Sequence, residues 1–160
     1  MKSLKFVKKC HVNQHGKYSS GLACLTAIAR YYEGAIREDE LVHLSGTTPL
    51  GTTVLGLYQA ANKIGFDAEG FKGEIESLKA MNDPVILDVT MDSQLKHFVV
   101  CYGFDGQFLI GDPAWGIIQY GEDELKAVWK SKTLLRLTPN ELFVTTKVKS
   151  KQKRKWMLGA

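Results

Sequence analysis

The chain has 160 residues, of which 44% are hydrophobic and 24% charged, and its formal net charge is +4. These values are typical of one soluble globular domain and exclude a fibrous or disordered chain. No run reaches the ~18 uninterrupted apolar residues that span a bilayer, and the start "MKSLKFVKKCHV" lacks the apolar core of a secretory signal. The 3 cysteines have no CxxC spacing, which indicates reduced thiols in a cytosolic setting.

The first half of the chain has helical periodicity. Apolar residues of "SSGLACLTAIARYYEG" recur on one helical face, with Ser19 or Ser20 as the N-cap and Gly34 as the stop. The stretch "REDELVHLSG" predicts a short helix that ends at Gly46. The stretch "TTVLGLYQAANKIG" predicts another helix within residues 52–65.

The second half of the chain changes to strand periodicity. Residues 83–91, 96–104 and 107–113 are short β-branched and aromatic runs separated by turn residues. An acid-capped helix, "GEDELKAVWK", and a further strand, "KTLLRLT", follow. Helices followed by strands predict the α+β class, with an N-terminal helical half packed on a C-terminal antiparallel sheet.

A basic segment closes the chain. Residues 147–155, "KVKSKQKRK", hold six of the 21 basic residues, which leaves 15 basic against 17 acidic residues elsewhere. We therefore expect residues 1–145 to form the domain and residues 146–160 to form a basic linker toward a membrane domain. Outside this segment no basic cluster or aromatic platform favours nucleic acid.

The sequence predicts a tight hairpin that brings two polar residues together. Asp105 and Gly106 form a two-residue turn signal between two strands. Residues whose numbers sum to 211 then face each other, which places His97 and Asp112 on one face as diagonal neighbours roughly 7–8 Å apart. A loop of four residues keeps this parity, so that His97 and Asp112 still share a face, whereas a loop of three residues places them on opposite faces. An Asp that orients a His is part of a catalytic triad, while the alternative is that His97 caps a strand and Asp112 opens the turn at Pro113.

Ser20 is a candidate for the third member of such a triad, because the N-terminus of a helix stabilises an anion and its amides can donate to an oxyanion. Capping alone also explains a serine there, and the nearest sulfur, Cys24, lies one turn deeper on the buried side. The stretch "GTTPLGTT" resembles a phosphate loop but has Thr52 where the lysine belongs, so nucleotide binding is rejected. No histidine has metal-ligand spacing, and neither a metal nor another cofactor is expected.

These motifs resemble those of the bacteriocin-processing double-glycine peptidases, papain-like cysteine peptidase domains at the N-terminus of peptide-exporting ABC transporters. The family's first motif is matched by Gln14, five further residues and then "SGLACL", the second by "HFVV" from His97, and the third by Asp112, Pro113 and Ala114. The motifs agree in order and spacing over residues 5 to 140. The resemblance therefore implies a papain-like peptidase fold.

The resemblance also implies a role for each matching residue. Ser20 stands at the nucleophile position, His97 at the general base, Asp112 at the orienting acid and Gln14 at the side-chain donor of the oxyanion hole. This sequence departs from the family in having Ser where the nucleophilic Cys belongs. Either a catalytic cysteine has been deliberately replaced, or the domain is a natural relic that binds the export substrate without cutting it.

The first functional hypothesis is an endopeptidase domain that cleaves a leader peptide after a Gly-Gly type pair, impaired or inactive with Ser20. The competing hypotheses are a non-catalytic docking domain for the export substrate and an unrelated interaction module whose Ser20 only caps a helix. The expected partners are the leader peptide and the transmembrane and nucleotide-binding domains of the same exporter, at the cytoplasmic face of the bacterial inner membrane. The leader's amphipathic helix is expected in an apolar groove beside Leu55, Leu57 and Tyr58, although such residues more often belong to a core.

Overall fold

The structure is a computed structural model that describes residues 1–15, 20–48, 51–91 and 96–145. The predicted basic linker and Ser19, one of the two predicted N-caps, lie outside these residues. The helices are α1 (Leu4–Cys10), α2 (Ser20–Tyr31), α3 (Glu38–Ser45), α4 (Val54–Lys63), α5 (Ile75–Lys79) and α6 (Glu122–Val128). The strands are β1 (Phe66–Lys72), β2 (Val85–Thr90), β3 (Lys96–Phe104), β4 (Phe108–Asp112), β5 (Gly116–Tyr120) and β6 (Thr133–Pro139).

The six strands form one antiparallel sheet in the order β1-β6-β2-β3-β4-β5. Apolar side chains alternate between its two faces. Val100 and Tyr102 of β3 join the core under α2 and α4, whereas Val99 and Cys101 join the core with α5 and α6. The predicted α+β class, with helices packed on an antiparallel sheet, is confirmed.

Two helix ends follow directly from local residues. Thr53 caps α4, because its side-chain oxygen accepts a 2.9 Å hydrogen bond from the amide of Gly56. Gly46 ends α3 in the left-handed conformation, with φ of 67°, as the sequence predicts for a C-cap glycine. At the end of α2 the left-handed residue is Glu33 (φ 59°), and the predicted stop, Gly34, follows it.

The β3–β4 hairpin differs from the predicted one in two places. Phe104 pairs with Phe108, so the loop has three residues instead of two and reverses the predicted parity. A β-bulge at Tyr102 then inserts one extra residue into β3. Beyond the bulge Val100 faces Gly111, which is again the predicted register. The bulge therefore cancels the effect of the longer loop at the end of the hairpin that carries His97 and Asp112.

The sequence did not predict the two edge strands or two of the short helices. The edge strands β1 and β5 each pair on one side only, so they need little of the apolar alternation that marks a half-buried strand. Helices α1 and α5 have seven and five residues, which is too few turns for a clear helical period.

Candidate active site

His97 and Asp112 form a buried hydrogen-bonded pair. His97 lies at the start of β3 and Asp112 at the end of β4, and their exposed fractions are 4% and 0%. The distance between Nε2 of His97 and Oδ1 of Asp112 is 2.7 Å. The same Oδ1 accepts a 2.8 Å hydrogen bond from the amide of Ala114, which fixes the carboxylate in the turn after β4. Because an ionised carboxylate can only accept, Nε2 carries the proton and Nδ1 is the nitrogen available as a base.

Gln14 is held beside this pair through its backbone. Its amide donates a 2.9 Å hydrogen bond to the carbonyl of Pro113, the residue that follows Asp112. The Gln14 side chain is half-buried. The chain segment before α2 is therefore attached to the turn after β4, and three of the four predicted catalytic residues lie in one neighbourhood.

Ser20 is the first residue of α2 and is 5% exposed. Its Oγ accepts a 3.2 Å hydrogen bond from the amide of Phe98, the residue that follows His97. The hydroxyl is therefore bonded to β3, which is not the contact that the capping interpretation of Ser20 predicts. At this position Ser20 lies at the positive end of the α2 dipole, and no acidic residue of the first turn weakens that field.

Cys24 is fully buried, one turn deeper in α2. Burial raises the pKa of its thiol well above the ordinary value, and the charge of Asp112 raises it further. A protonated, inaccessible thiol is not a nucleophile. Cys24 therefore belongs to the core, as the sequence indicates, and does not substitute for a catalytic cysteine.

A cleft with a volume of about 470 Å³ opens beside Ser20. Its two walls come from the α3–α4 connection and from strands β2 and β3, with lining residues Ser20, Gly46, Thr48, Gly51, Thr52, Thr53, Val54, Asp88, Lys96 and Phe98. Gly46, Thr48 and residues 51–53, which belong to the stretch that resembles a phosphate loop, thus form one wall of this cleft. Sequence reasoning missed it as a site element, because only the packing of α3 and α4 brings it next to Ser20.

The three residues predicted for the leader groove divide between surface and core. Leu55 is 62% exposed and Tyr58 is 39% exposed, one helical turn apart on α4. Leu57 is only 1% exposed and packs beside Gly21 of α2, so its prediction as a surface contact is wrong. The physical reason is that Leu57 points to the opposite side of α4 from Leu55, which is the side that covers the sheet.

Comparison with known proteins shows to which family the chain belongs. The profile of the peptidase C39 family matches residues 8–141, which include all four candidate catalytic residues. The chain belongs to the peptidase C39 family.

Relatives with known names are processing and transport proteins. This chain is 32% identical over 121 residues to the lactococcin-G-processing and transport ATP-binding protein LagD of Lactococcus lactis, covering 74% of this chain and 17% of that protein. It is 35% identical over 108 residues to the pediocin PA-1 transport/processing ATP-binding protein PedD of Pediococcus acidilactici, covering 66% of this chain and 15% of that protein. The chain thus spans about a sixth of the length of these relatives. An uncharacterized protein of Methanothermobacter marburgensis is 32% identical over 124 residues, 78% of this chain and 85% of that protein.

Solved structures agree with this assignment. The peptidase domain of Streptococcus ComA, a bifunctional ABC transporter of a quorum-sensing pathway, superposes with a TM-score of 0.75 and 28% identity over 81% of this chain and 97% of that domain. A double-glycine motif protease from an AMS/PCAT transporter, solved with its leader peptide, gives a TM-score of 0.73 and 26% identity over 81% of this chain and 90% of that chain. The papain-like C39 fold expected from the motifs is therefore confirmed.

The described part of the chain contains neither a membrane-spanning helix nor a metal-binding cluster. In residues 1–15, 20–48, 51–91 and 96–145, no helix is both long and apolar enough to cross a bilayer. The same residues contain no group of three or more His, Cys, Asp or Glu side chains arranged to hold a metal ion.

Proposed function

We propose that this C39 domain is the leader-peptide-processing part of a peptide-exporting ABC transporter and is built to cleave after a Gly-Gly type pair. The observation that carries this proposal is the hydrogen-bonded pair of His97 and Asp112 beside Ser20 at the N-terminus of α2. The named relatives and the protease solved with its leader support the substrate class.

Each of the four residues receives a role in this proposal. The residue at position 20 attacks the scissile carbonyl, and Nδ1 of His97 takes its proton as the general base. Asp112 orients the imidazole and stabilises its protonated form. The Gln14 side chain and the amides of the first turn of α2 donate to the oxyanion that forms on the carbonyl oxygen. No cofactor is required for this chemistry.

Selectivity for glycine fits the cleft beside Ser20. Part of its wall consists of Gly46, Gly51 and small threonine side chains. A narrow groove that leaves no space for a Cβ on the substrate admits only glycine-like residues next to the scissile bond. Further affinity then comes from apolar contacts of the leader helix with exposed residues of α4, of which Leu55 and Tyr58 remain candidates.

With serine at position 20, we expect this chain to be nearly or wholly inactive. A thiol next to an imidazole ionises near neutral pH, whereas a hydroxyl must lose its proton during attack, in a site shaped for sulfur. This serine is also the observation that favours the second candidate function, a docking domain that binds the export substrate without cutting it. In both cases the leader peptide and the exporter's membrane and ATPase domains are the proposed partners.

The experiment is cleavage of a panel of synthetic double-glycine leader peptides, followed by mass spectrometry. The chain with Ser20 should leave the peptides intact, and Ser20→Cys should cleave after the second glycine. Turnover by the Ser20 chain would contradict the expected inactivity. No turnover by Ser20→Cys with any leader, although the peptides bind, would favour the docking function.

Two control variants isolate the effect of the thiol. Ser77→Cys introduces a thiol at an exposed position of α5, on the other side of the sheet, and should remain inactive. Adding His97→Ala to Ser20→Cys should abolish cleavage while leader binding persists, because His97 is proposed to act on the proton and not to hold the peptide.

A further inference from the structure

Asp88 of β2 lines the cleft beside Ser20, and the proposed mechanism does not use it. We propose that Asp88 is a specificity-determining residue that binds the charged group of a Lys or Arg immediately before the leader's Gly-Gly pair. The inference rests on the proposed function, because it names a substrate residue for the same cleft.

The sheet register sets the distance between Asp88 and Ser20. Asp88 pairs directly with Phe98 of β3, whose amide lies 3.2 Å from Oγ of Ser20. Paired residues of antiparallel strands have Cα atoms about 4.5–5.5 Å apart, so the Cα of Asp88 lies within about 10 Å of that Oγ. An extended peptide advances about 3.3 Å per residue, so about three residues of substrate cover this distance. The two glycines carry no side chain, and the residue before them is the first that can reach Asp88.

The position of β2 in the sheet indicates on which side of Ser20 the leader part of the substrate lies. In the sheet β2 lies on the opposite side of β3 from β4, which carries Asp112. Ser20, Asp88 and Val54, the first residue of α4, all line the cleft. The exposed Leu55 and Tyr58 follow on that helix. A leader that contacts α4 and enters this cleft to reach Ser20 therefore lies against the wall that contains Asp88.

The Asp88 carboxylate is half-buried, and among the residues that the structure describes it has neither a hydrogen-bond partner nor an ion-pair partner. Its backbone carbonyl accepts a 2.7 Å hydrogen bond from Oγ of Ser131. Burial raises the pKa of the carboxyl group, while Lys96 and Lys72 act in the opposite direction. A partly desolvated carboxylate without a partner is costly, and an incoming cation removes that cost.

Two lysines, Lys72 and Lys96, lie near the Asp88 carboxylate and differ in their own hydrogen-bond contacts. The ammonium group of Lys72 donates to the carbonyl of Ser131 and to the hydroxyl of Thr133, so it is already occupied. Lys96 is exposed and lines the same cleft without forming an ion pair with Asp88. Lys96 therefore competes with a cationic substrate residue, and its removal should strengthen the preference for one.

The test uses the chain with Ser20, which should bind leaders without cutting them. Fluorescent leader peptides that differ only in Lys or Met before the Gly-Gly pair are titrated by anisotropy. The Lys peptide should bind about fivefold more tightly than the Met peptide, as expected for one partly exposed ion pair. Asp88→Asn should remove this preference without changing the affinity for the Met peptide, and Lys96→Gln should increase it.

Asp123→Asn, a charge-matched change on α6 outside the cleft, should keep the preference and serves as the control. Equal affinities for the two peptides, or a preference that survives Asp88→Asn, would overturn the inference while leaving the proposed function intact. A peptide with Gln in place of Lys that binds equally well would also overturn it, because the charge would then be immaterial. Failure of every leader peptide to bind would instead contradict the proposed function itself.

Discussion

Gly56→Ala tests the packing that forms the cleft. Gly56 lies in α4, and a Cβ at this position would stand only 2.3 Å from the backbone carbonyl oxygen of Ser45 at the end of α3. Contact with a carbonyl cannot be relieved by a rotamer change, so the two helices must separate by about 1 Å to restore an ordinary van der Waals distance. The substitution therefore moves α3 and α4 and, with them, the cleft wall that they hold.

The expected magnitude follows from two opposing effects. Alanine is favoured over glycine in a helix interior by about 1 kcal/mol, which is an upper limit for Gly56 as the third residue of α4. Overpacking a close contact typically costs about 1–3 kcal/mol, and this contact lies at the upper end because the neighbour is backbone. The net loss in the free energy of unfolding should be about 1–2 kcal/mol, which lowers the Tm of a chain of this size by about 3–8 °C.

The assay is thermal and urea unfolding of Gly56→Ala beside Gly70→Ala. A Cβ at Gly70 of β1 would have Cδ1 of Leu135 as its nearest neighbour, at 3.8 Å, so this control should not lower the free energy of unfolding and should raise it by at most about 1 kcal/mol. Gly56→Ala should also weaken leader binding, whereas Gly70→Ala should not. A Gly56→Ala variant as stable as the parent chain would refute the reasoning, because it would show that α3 and α4 are not held at this distance.

Three further outcomes test the core and the site. Leu57→Ala should lower the free energy of unfolding by about 3 kcal/mol and Leu55→Ala by less than about 0.5 kcal/mol in urea titrations, because only Leu57 is buried. In the Ser20→Cys chain, Asp112→Asn should reduce the cleavage rate at least about 100-fold in single-turnover assays, because the imidazole loses its orienting carboxylate. Burial raises the pKa of the Cys101 thiol from 9.0 to about 12, so unfolding measured at several pH values should show stability lost between those two values and less loss in Cys101→Val.

The sequence was sufficient for the elements with strong local signals. The helical periods of α2, α3 and α4, the Gly46 C-cap of α3 and the Thr53 N-cap of α4 depend on consecutive residues. The motifs around His97 and Asp112 predicted a pair whose hydrogen bond the structure contains. The catalytic roles of Ser20, Gln14, His97 and Asp112 stay predictions, since a hydrogen bond does not show a reaction.

The remaining features depend on contacts between residues far apart in the chain. Leu55 and Leu57 are identical in chemistry and two positions apart, and only the packing of α4 on the sheet makes one exposed and the other buried. The cleft between the α3–α4 connection and Asp88 joins segments roughly 40 residues apart, so no local pattern could indicate it. The side chains of β5 show no clear alternation between buried and exposed positions, because β5 is an edge strand of the sheet.

The bulge at Tyr102 gives the two ends of the β3–β4 hairpin different pairing registers. Next to the loop Phe104 faces Phe108, whereas beyond the bulge Val100 faces Gly111. If the register next to the loop continued along β3, Val100 would face Asp112 instead, and His97 would lie on the opposite face of the sheet from Asp112, because strand side chains alternate with a period of two. A variant in which β3 is straightened into that continuous register should therefore lose the His97–Asp112 hydrogen bond, although both residues are still present.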